Sequence, residues 1–257
     1  MAKKERIDTL LVSKGHAPSR SVAQRLVMAG QVRADGQLVS KASTRVPPDA
    51  YLEVHESPRF VSRGGDKLVA ALEAFSIDVR GLCCADVGAS TGGFTDCLLQ
   101  HGAERVYAID VGQGLLHWKL RGDPRIVLME RTNARHVAEL PEAVDLTTLD
   151  VAFISLRVLF PVITDWLAPD GQVIALVKPQ FEAGRASVGK GGVVRDPAVH
   201  RRVLEEVALA ASQAHLAPQG IMSSPLQGPK GNIEFFLWCR QGGAERSISS
   251  LLASVFP

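Results

Sequence analysis

Four charged residues stand where apolar runs begin or end. Lys67 follows Gly64-Gly65-Asp66, and Asp150 closes Leu146-Thr147-Thr148-Leu149. Lys178 closes the run from Gln172 to Val177, and Glu234 opens Phe235-Phe236-Leu237-Trp238. Two cations and two carboxylates balance one another, so the set tolerates partial burial. A lysine desolvated beside another cation can act as a neutral base. Attack by a hydroxyl needs such help, because the hydroxyl is a weak nucleophile and must lose a proton as it attacks. Each of the four taken singly also fits a structural ion pair.

A methyl donor needs a cradle, and residues 86–95, Asp-Val-Gly-Ala-Ser-Thr-Gly-Gly-Phe-Thr, read as one. They follow the apolar run Leu82 to Ala85, and the next apolar run ends in Asp110. Glycines let backbone approach a ligand closely, and a carboxylate at a strand tip can accept from both hydroxyls of a ribose. The spacing Gly88-x-x-x-Gly92-Gly93 departs from Gly-x-Gly-x-x-Gly, which speaks against a pyrophosphate and for S-adenosylmethionine. By position, Asp86, Gly88, Ser90, Thr91, Gly92 and Phe94 form the cofactor turn, Asp110 takes the ribose, and Asn133 lies by the adenine. Methyltransferases that act on exocyclic amines often carry Asn-Pro-Pro-Tyr after the fourth strand. Here Asp150-Val-Ala-Phe153 stands instead, which favours a ribose target.

These residues need a scaffold that carries them to one rim. The runs at 82–87, 105–109, 127–129, 146–150 and 172–178 read as strands with charged or glycine-rich ends. Helices are expected after Asp66, with Lys67 in the first turn, from Leu156 to Leu167, and from Asp196-Pro197 to about His215. Near-continuous apolar strands separated by helices predict an α/β fold, a Rossmann-like methyltransferase sheet that is largely parallel. Ligands of such sheets sit at the carboxyl ends of the strands, where Asp150 and Lys178 lie. Glu234 joins that rim if its strand runs antiparallel.

A smaller α+β module precedes the sheet. Ile7, Leu10 and Leu11 have helical spacing, Ser19 caps a second helix, and Asp35-Gly36 marks a hairpin. The first sixty residues hold ten Lys and Arg against six Asp and Glu, in a chain of net charge +2. A basic module on a near-neutral body points to a polyanion. The expected organisation is 1–58 for the module, 59–63 for a linker and 64–257 for the catalytic domain.

Two resemblances add to this. Ser19-Arg20-x-x-Ala23-x-x-Leu26-Val27-x-x-Gly30-x-Val32-x-x-Asp35-Gly36 resembles the S4 RNA-binding domain, which implies RNA contacts from Arg20, Gln24, Arg25, Arg33 and Lys41. Ser-Arg-Gly-Gly-Asp-Lys67, the turn to Phe94, Leu-Asp150-Val-Ala-Phe-Ile-Ser-Leu, Leu-Val-Lys178-Pro-Gln-Phe-Glu and Gly-Asn-Ile-Glu234-Phe-Phe-Leu-Trp are similar to the TlyA family, with its FtsJ-like catalytic domain. That resemblance covers nearly the whole chain. It implies a catalytic tetrad of Lys67, Asp150, Lys178 and Glu234, with Lys178 as base. It also implies cytidine ribose in 16S or 23S ribosomal RNA, or both, as target, and a link to capreomycin sensitivity. Ribosomal subunits are the expected partners, with Arg63, Arg185 and Lys190 as further RNA contacts. The tail with Ile248, Leu251, Leu252 and Val255 at helical spacing points to the type that modifies both subunits.

Other readings carry less. A non-catalytic ribosome-assembly factor would have no use for the tetrad and the cofactor turn. The family has also been called haemolysin-like, yet no run of about 18 apolar residues is present to cross a membrane. No signal-peptide segment follows the start, and four cysteines without metal spacing read as reduced thiols, so a cytoplasmic protein without a required metal is expected. Gly184 to Lys190 matches most of a P-loop, but Gly191 stands where a magnesium-binding hydroxyl belongs.

Overall fold

The computed structural model describes residues 4–55 and 58–256. It divides into two compact units, residues 1–59 and 60–257.

The small unit comprises β1 (Glu5–Arg6), α1 (Ile7–Ser13), α2 (Arg20–Met28), β2 (Val32–Ala34), β3 (Gln37–Leu38), β4 (Arg45–Val46) and β5 (Leu52–Val54). Ser19 caps α2 by accepting from the Val22 N–H. Asp35 and Gly36 both take positive φ, the conformation that a two-residue hairpin turn between β2 and β3 requires. Ile7, Leu11, Ala23, Val27 and Val32 form a separate small core.

The large unit runs α3 (Arg63–Ala74), β6 (Cys83–Val87), α4 (Gly93–Gln100), β7 (Arg105–Ile109), β8 (Ile126–Met129), β9 (Val144–Leu149), α5 (Leu156–Thr164), β10 (Leu167–Val177), α6 (Pro179–Glu182), α7 (Pro197–Gln213), β11 (Leu216–Ser223), β12 (Phe235–Gln241) and α8 (Ile248–Ala253). Its seven strands lie in the order β11-β12-β10-β9-β6-β7-β8. Every neighbouring pair is parallel except those that involve β12, which is antiparallel to both of its neighbours. Side chains alternate along β10: Val173, Ala175 and Val177 face α5 and α7, while Ile174 and Leu176 face α3 and α4. Both faces are therefore covered, which is why these strands are apolar throughout. The strand order reverses at β6, with β7 on one side and β9 on the other, and a crevice opens at that switch point.

Three expectations need correction. Residues 59–63 are not a linker: Phe60 is buried in the core of the large unit, the Val61 N–H donates to Asp96, and Ser62 caps α3. Because Ser62 is the cap, α3 starts at Arg63 and Lys67 lies in its second turn. The helix from Leu156 stops at Thr164, and Leu167 already belongs to β10. Strand β11 was not anticipated. Pro218 and Gly220 interrupt its pattern and coincide with a register shift against β12, a defect that an edge strand accepts.

Candidate active site

The cofactor turn begins where β6 ends. Gly88 has φ +84°, and a Cβ there would lie 2.6 Å from the Asp150 carbonyl oxygen, so the tips of β6 and β9 touch through a missing side chain. Gly92 has φ +93° and starts α4, and Leu116 and Leu120 occupy the space that its side chain would need. Asp110 closes the turn from the tip of β7: its two oxygens accept the N–H groups of Ser90 at 2.8 Å and Gly112 at 2.7 Å. Each oxygen keeps lone-pair capacity for a hydroxyl. Past Asp110 the chain wraps the same turn, with the His117 N–H donating to the Thr91 carbonyl at 3.1 Å. The next residue, Trp118, is left 74% exposed, with the Lys119 ammonium 5.9 Å from its ring.

Beside the turn is a cavity of about 280 Å³. Its walls include Ser62, Arg63 and Gly64 from the start of α3, Gly88, Ser90, Thr91 and Phe94, and all four of Lys67, Asp150, Lys178 and Glu234. The sheet explains how Glu234 meets Asp150 and Lys178: β12 runs antiparallel, so its start shares a rim with the last residues of β9 and β10, and α3 brings Lys67 to the same rim. Two ion pairs result. Lys67 Nζ donates to Glu234 Oε2 at 2.6 Å, and Lys178 Nζ lies 2.6 Å from Asp150 Oδ1. The lysine side chains are only 12% and 14% exposed, and the Glu234 side chain is fully buried. Its other oxygen, Oε1, has no hydrogen-bond partner among the described residues. A buried acceptor left in that state is costly, and here it belongs to a residue that lines the cavity. Gly228 packs against the same carboxylate, and a Cβ at that position would strike it.

Other expected site residues sit elsewhere. Asp86 does not reach the cavity. It is fully buried under the turn and accepts from Thr95 Oγ1 at 2.6 Å and Thr148 Oγ1 at 3.1 Å. Burial pushes its carboxyl up to about 7, despite these hydroxyl donors. Gly92, Asp110 and Asn133 also lie outside the cavity lining. Gly92 acts through the turn, and Asn133 caps a short 3₁₀ turn through the Arg135 N–H. Its neighbour Thr132 donates its N–H to the Asp110 carbonyl, so this loop abuts the ribose-binding candidate. Arg185 and Lys190 are exposed on the segment after α6, and the following helix starts only at Pro197, so no P-loop geometry exists there.

In the small unit, Arg20 and Gln24 are committed to Asp8, at 3.0 and 2.9 Å. Bonds from Arg6, Gln24 and Arg20 hold the buried Asp8 carboxyl well below the ordinary range. Arg25 and Lys41 are exposed, and exposed Arg33 donates to the Gly36 carbonyl.

Sequence reasoning missed two features. Phe153, three residues after Asp150, is 91% exposed at φ +64°, with its ring centroid 5.0 Å from that of Phe181. The carboxylate of Glu182 is buried against the start of α5, where it accepts from Ser155 and Leu156. Neither exposure nor a cross-loop contact can be read from spacing. Buried Cys84 and Cys239 have thiols pushed up by burial and are not nucleophiles. Among the described residues no group of His, Cys, Asp and Glu could hold a metal ion, and no helix is long and apolar enough to cross a membrane.

Comparison with known proteins identifies the two domains. Residues 60–241 match the FtsJ-like methyltransferase model and residues 5–50 match the S4 domain. The 16S/23S rRNA (cytidine-2′-O)-methyltransferase TlyA of Mycobacterium tuberculosis is 49% identical over 256 residues, 97% of this chain and 94% of its own. Hemolysin A of Brachyspira hyodysenteriae is 39% identical over 90% of this chain and 97% of its own. A solved Streptococcus thermophilus chain, provisionally named a hemolysin, superposes with a TM-score of 0.73 at 40% identity, covering 99% of this chain and 96% of that one. An S4 domain, an FtsJ-like methyltransferase domain and identity along nearly the full length together place this chain in the TlyA family.

Proposed function

We propose that the protein methylates the ribose 2′-hydroxyl of cytidine in 16S and 23S ribosomal RNA, with S-adenosylmethionine as methyl donor. The observation that carries this is the meeting of two lysine–carboxylate pairs beside the glycine-rich turn in one cavity. The cavity and the turn beside it suit the donor: in the lining, a Gly88 with no room for a side chain and a Glu234 with an unpaired buried oxygen, and next to the lining, a Gly92 equally short of room and an Asp110 carboxylate with spare acceptor capacity. When bound there, S-adenosylmethionine supplies an electrophilic methyl group.

The chain's own residues do the rest. Gly88, Ser90, Thr91, Gly92 and Phe94 hold the methionine end and the ribose, Asp110 accepts from the ribose hydroxyls, and Asn133 lies by the adenine. Lys178 Nζ takes the proton of the 2′-hydroxyl. Asp150 fixes the position of Lys178, and Glu234 that of Lys67. Lys67 supplies positive charge where the alkoxide develops. Exposed Phe153 offers an aromatic face on which the target base can stack once it leaves its helix. Arg25, Arg33 and Lys41, with Arg63, Arg185 and Lys190, contact RNA phosphates. The helix α8, whose Leu251 and Leu252 are buried in the core, supports action on both subunits. Such a protein works in the cytoplasm, where ribosomes are.

The test is transfer of tritiated methyl from S-adenosylmethionine to purified 30S and 50S subunits, followed by alkaline hydrolysis. A 2′-O-methyl group blocks cleavage of the adjacent phosphodiester, so label in alkali-resistant cytidine dinucleotides supports the proposal. Label on the base, or none in either subunit, overturns it.

A further inference from the structure

Asp150 and Lys178 touch at the rim, yet the ladder between their two strands stops short of them. The parallel ladder between β9 and β10 ends at the Leu149–Ala175 pair. Lys178 lies three residues beyond Ala175, whereas Asp150 lies one beyond Leu149, so the lysine projects past the last rung. On its other side β10 stays paired with β12 as far as Val177 and Phe235, which aligns Lys178 with Glu234 and leaves the spacing between Lys178 and Asp150 to be set by another contact.

Glu182 is placed to do so. It ends α6, the single turn that starts directly after Lys178, and the Phe181 N–H donates to the Lys178 carbonyl at 2.9 Å. Its carboxylate accepts from Ser155 Oγ at 2.6 Å and from the Leu156 N–H at 2.8 Å, and Arg157 Nε lies 3.5 Å away. Arg157 also donates to the Glu182 carbonyl at 3.0 Å. Ser155 and Leu156 start α5 and end the loop that carries Asp150 to Phe153. The other end of that loop is tied as well, by the Asp150 N–H to the Val87 carbonyl at 2.9 Å. The Glu182 side chain is only 2% exposed, so these bonds face little competition from water.

We propose that Glu182 is a positioning residue for methyl transfer. Its carboxylate fastens the loop after Asp150 to the turn after Lys178 and keeps that ion pair in register. This rests on the reading of Lys178 and Asp150 as reacting groups. Glu182 lies outside the cavity lining, so its loss lowers the rate of the chemical step and leaves cofactor binding in place. Misplacing reacting groups by about 1 Å costs on the order of 100-fold in rate.

The test uses full-length protein with Glu182→Ala, Glu182→Gln and Ser155→Ala. Melting temperature, S-adenosylmethionine affinity by calorimetry, and kcat and KM on ribosomal subunits are measured for each. Glu182→Ala should lower kcat by about 30- to 100-fold, with cofactor Kd within about twofold of wild type. Glu182→Gln should recover much of the rate, since its amide oxygen still accepts from Leu156. Ser155→Ala should cost roughly 3- to 10-fold, and adding it to Glu182→Ala should cost nothing more. A folded Glu182→Ala protein with a near-normal kcat overturns the proposal, and so does a rate loss matched by loss of cofactor affinity. If Glu182→Ala does not fold, Ser155→Ala decides, and a wild-type rate there overturns it. A wild-type protein that methylates no ribose defeats the underlying reading instead, and is recognised before any variant is made.

Discussion

Lys178 lies beyond the last rung of the β9–β10 ladder and reaches Asp150 with a side chain that is almost buried. As the base it must be neutral when the hydroxyl attacks. Lys178→Ala should therefore reduce methyl transfer by at least about 1,000-fold while cofactor and RNA affinities stay near wild type, measured by tritium transfer and calorimetry. Lys178→Arg should be equally inactive, because a guanidinium stays protonated; substantial turnover would make the residue a fixed charge. Asp86 yields a prediction on stability. Its folded-state value of about 7 lies above that of the unfolded chain, so the folded state keeps a proton that the unfolded state releases. This contribution favours folding at low pH and is lost as pH rises from about 4 to 7. The melting temperature of Asp86→Asn relative to wild type should accordingly climb between about pH 5 and pH 8 in a thermal-shift series. That Asp150, Lys178 and Glu234 share one rim was legible because each bounds an apolar strand. Asp86 was misread because its partners, Thr95 on α4 and Thr148 on β9, lie far from it in sequence, and nothing local reveals that they enclose it.

Among the elements, the β6–α4 turn depends on Gly88. Gly88→Ala combines a left-handed backbone, costing of order 1–3 kcal/mol, with contact against the Asp150 carbonyl. The variant should melt several degrees lower and bind S-adenosylmethionine at least about tenfold more weakly, since the turn and the β9 tip must separate. Unchanged affinity in calorimetry would remove Gly88 from the cofactor cradle. Strands buried on both faces declared themselves as continuous apolar runs. β11 stayed hidden because an edge strand with Pro218 and Gly220 has no such run. The span 59–63 looked like a linker because Pro58 and the polar residues around it resemble one. In fact Phe60 fills the space left by the absent side chain of Gly65, a fit that only the packed structure displays.

At the scale of the molecule, a basic module accompanies a catalytic unit. The polar side chains expected to meet RNA divide into two kinds. Arg20 and Gln24 serve the Asp8 network, so reversing Arg20 would damage the fold and confuse a binding test. Arg25 and Lys41 carry no such duty. Arg25→Glu with Lys41→Glu should weaken RNA binding and reduce the slope of log affinity against log salt by roughly one per lost phosphate contact, with cofactor affinity unchanged. Filter binding that shows unaltered affinity would remove this face from the interface.

The loop that wraps the cofactor turn gives the protein an optical reporter. Of the three tryptophans, Trp166 is buried and Trp238 is half-buried against Phe75, whereas Trp118 stands in solvent one residue from the His117–Thr91 bond. Red-edge emission quenched by iodide should therefore come mainly from Trp118. Occupation of the turn by S-adenosylmethionine should shift that emission or its quenching, so that stopped-flow fluorescence can time cofactor entry without an added label.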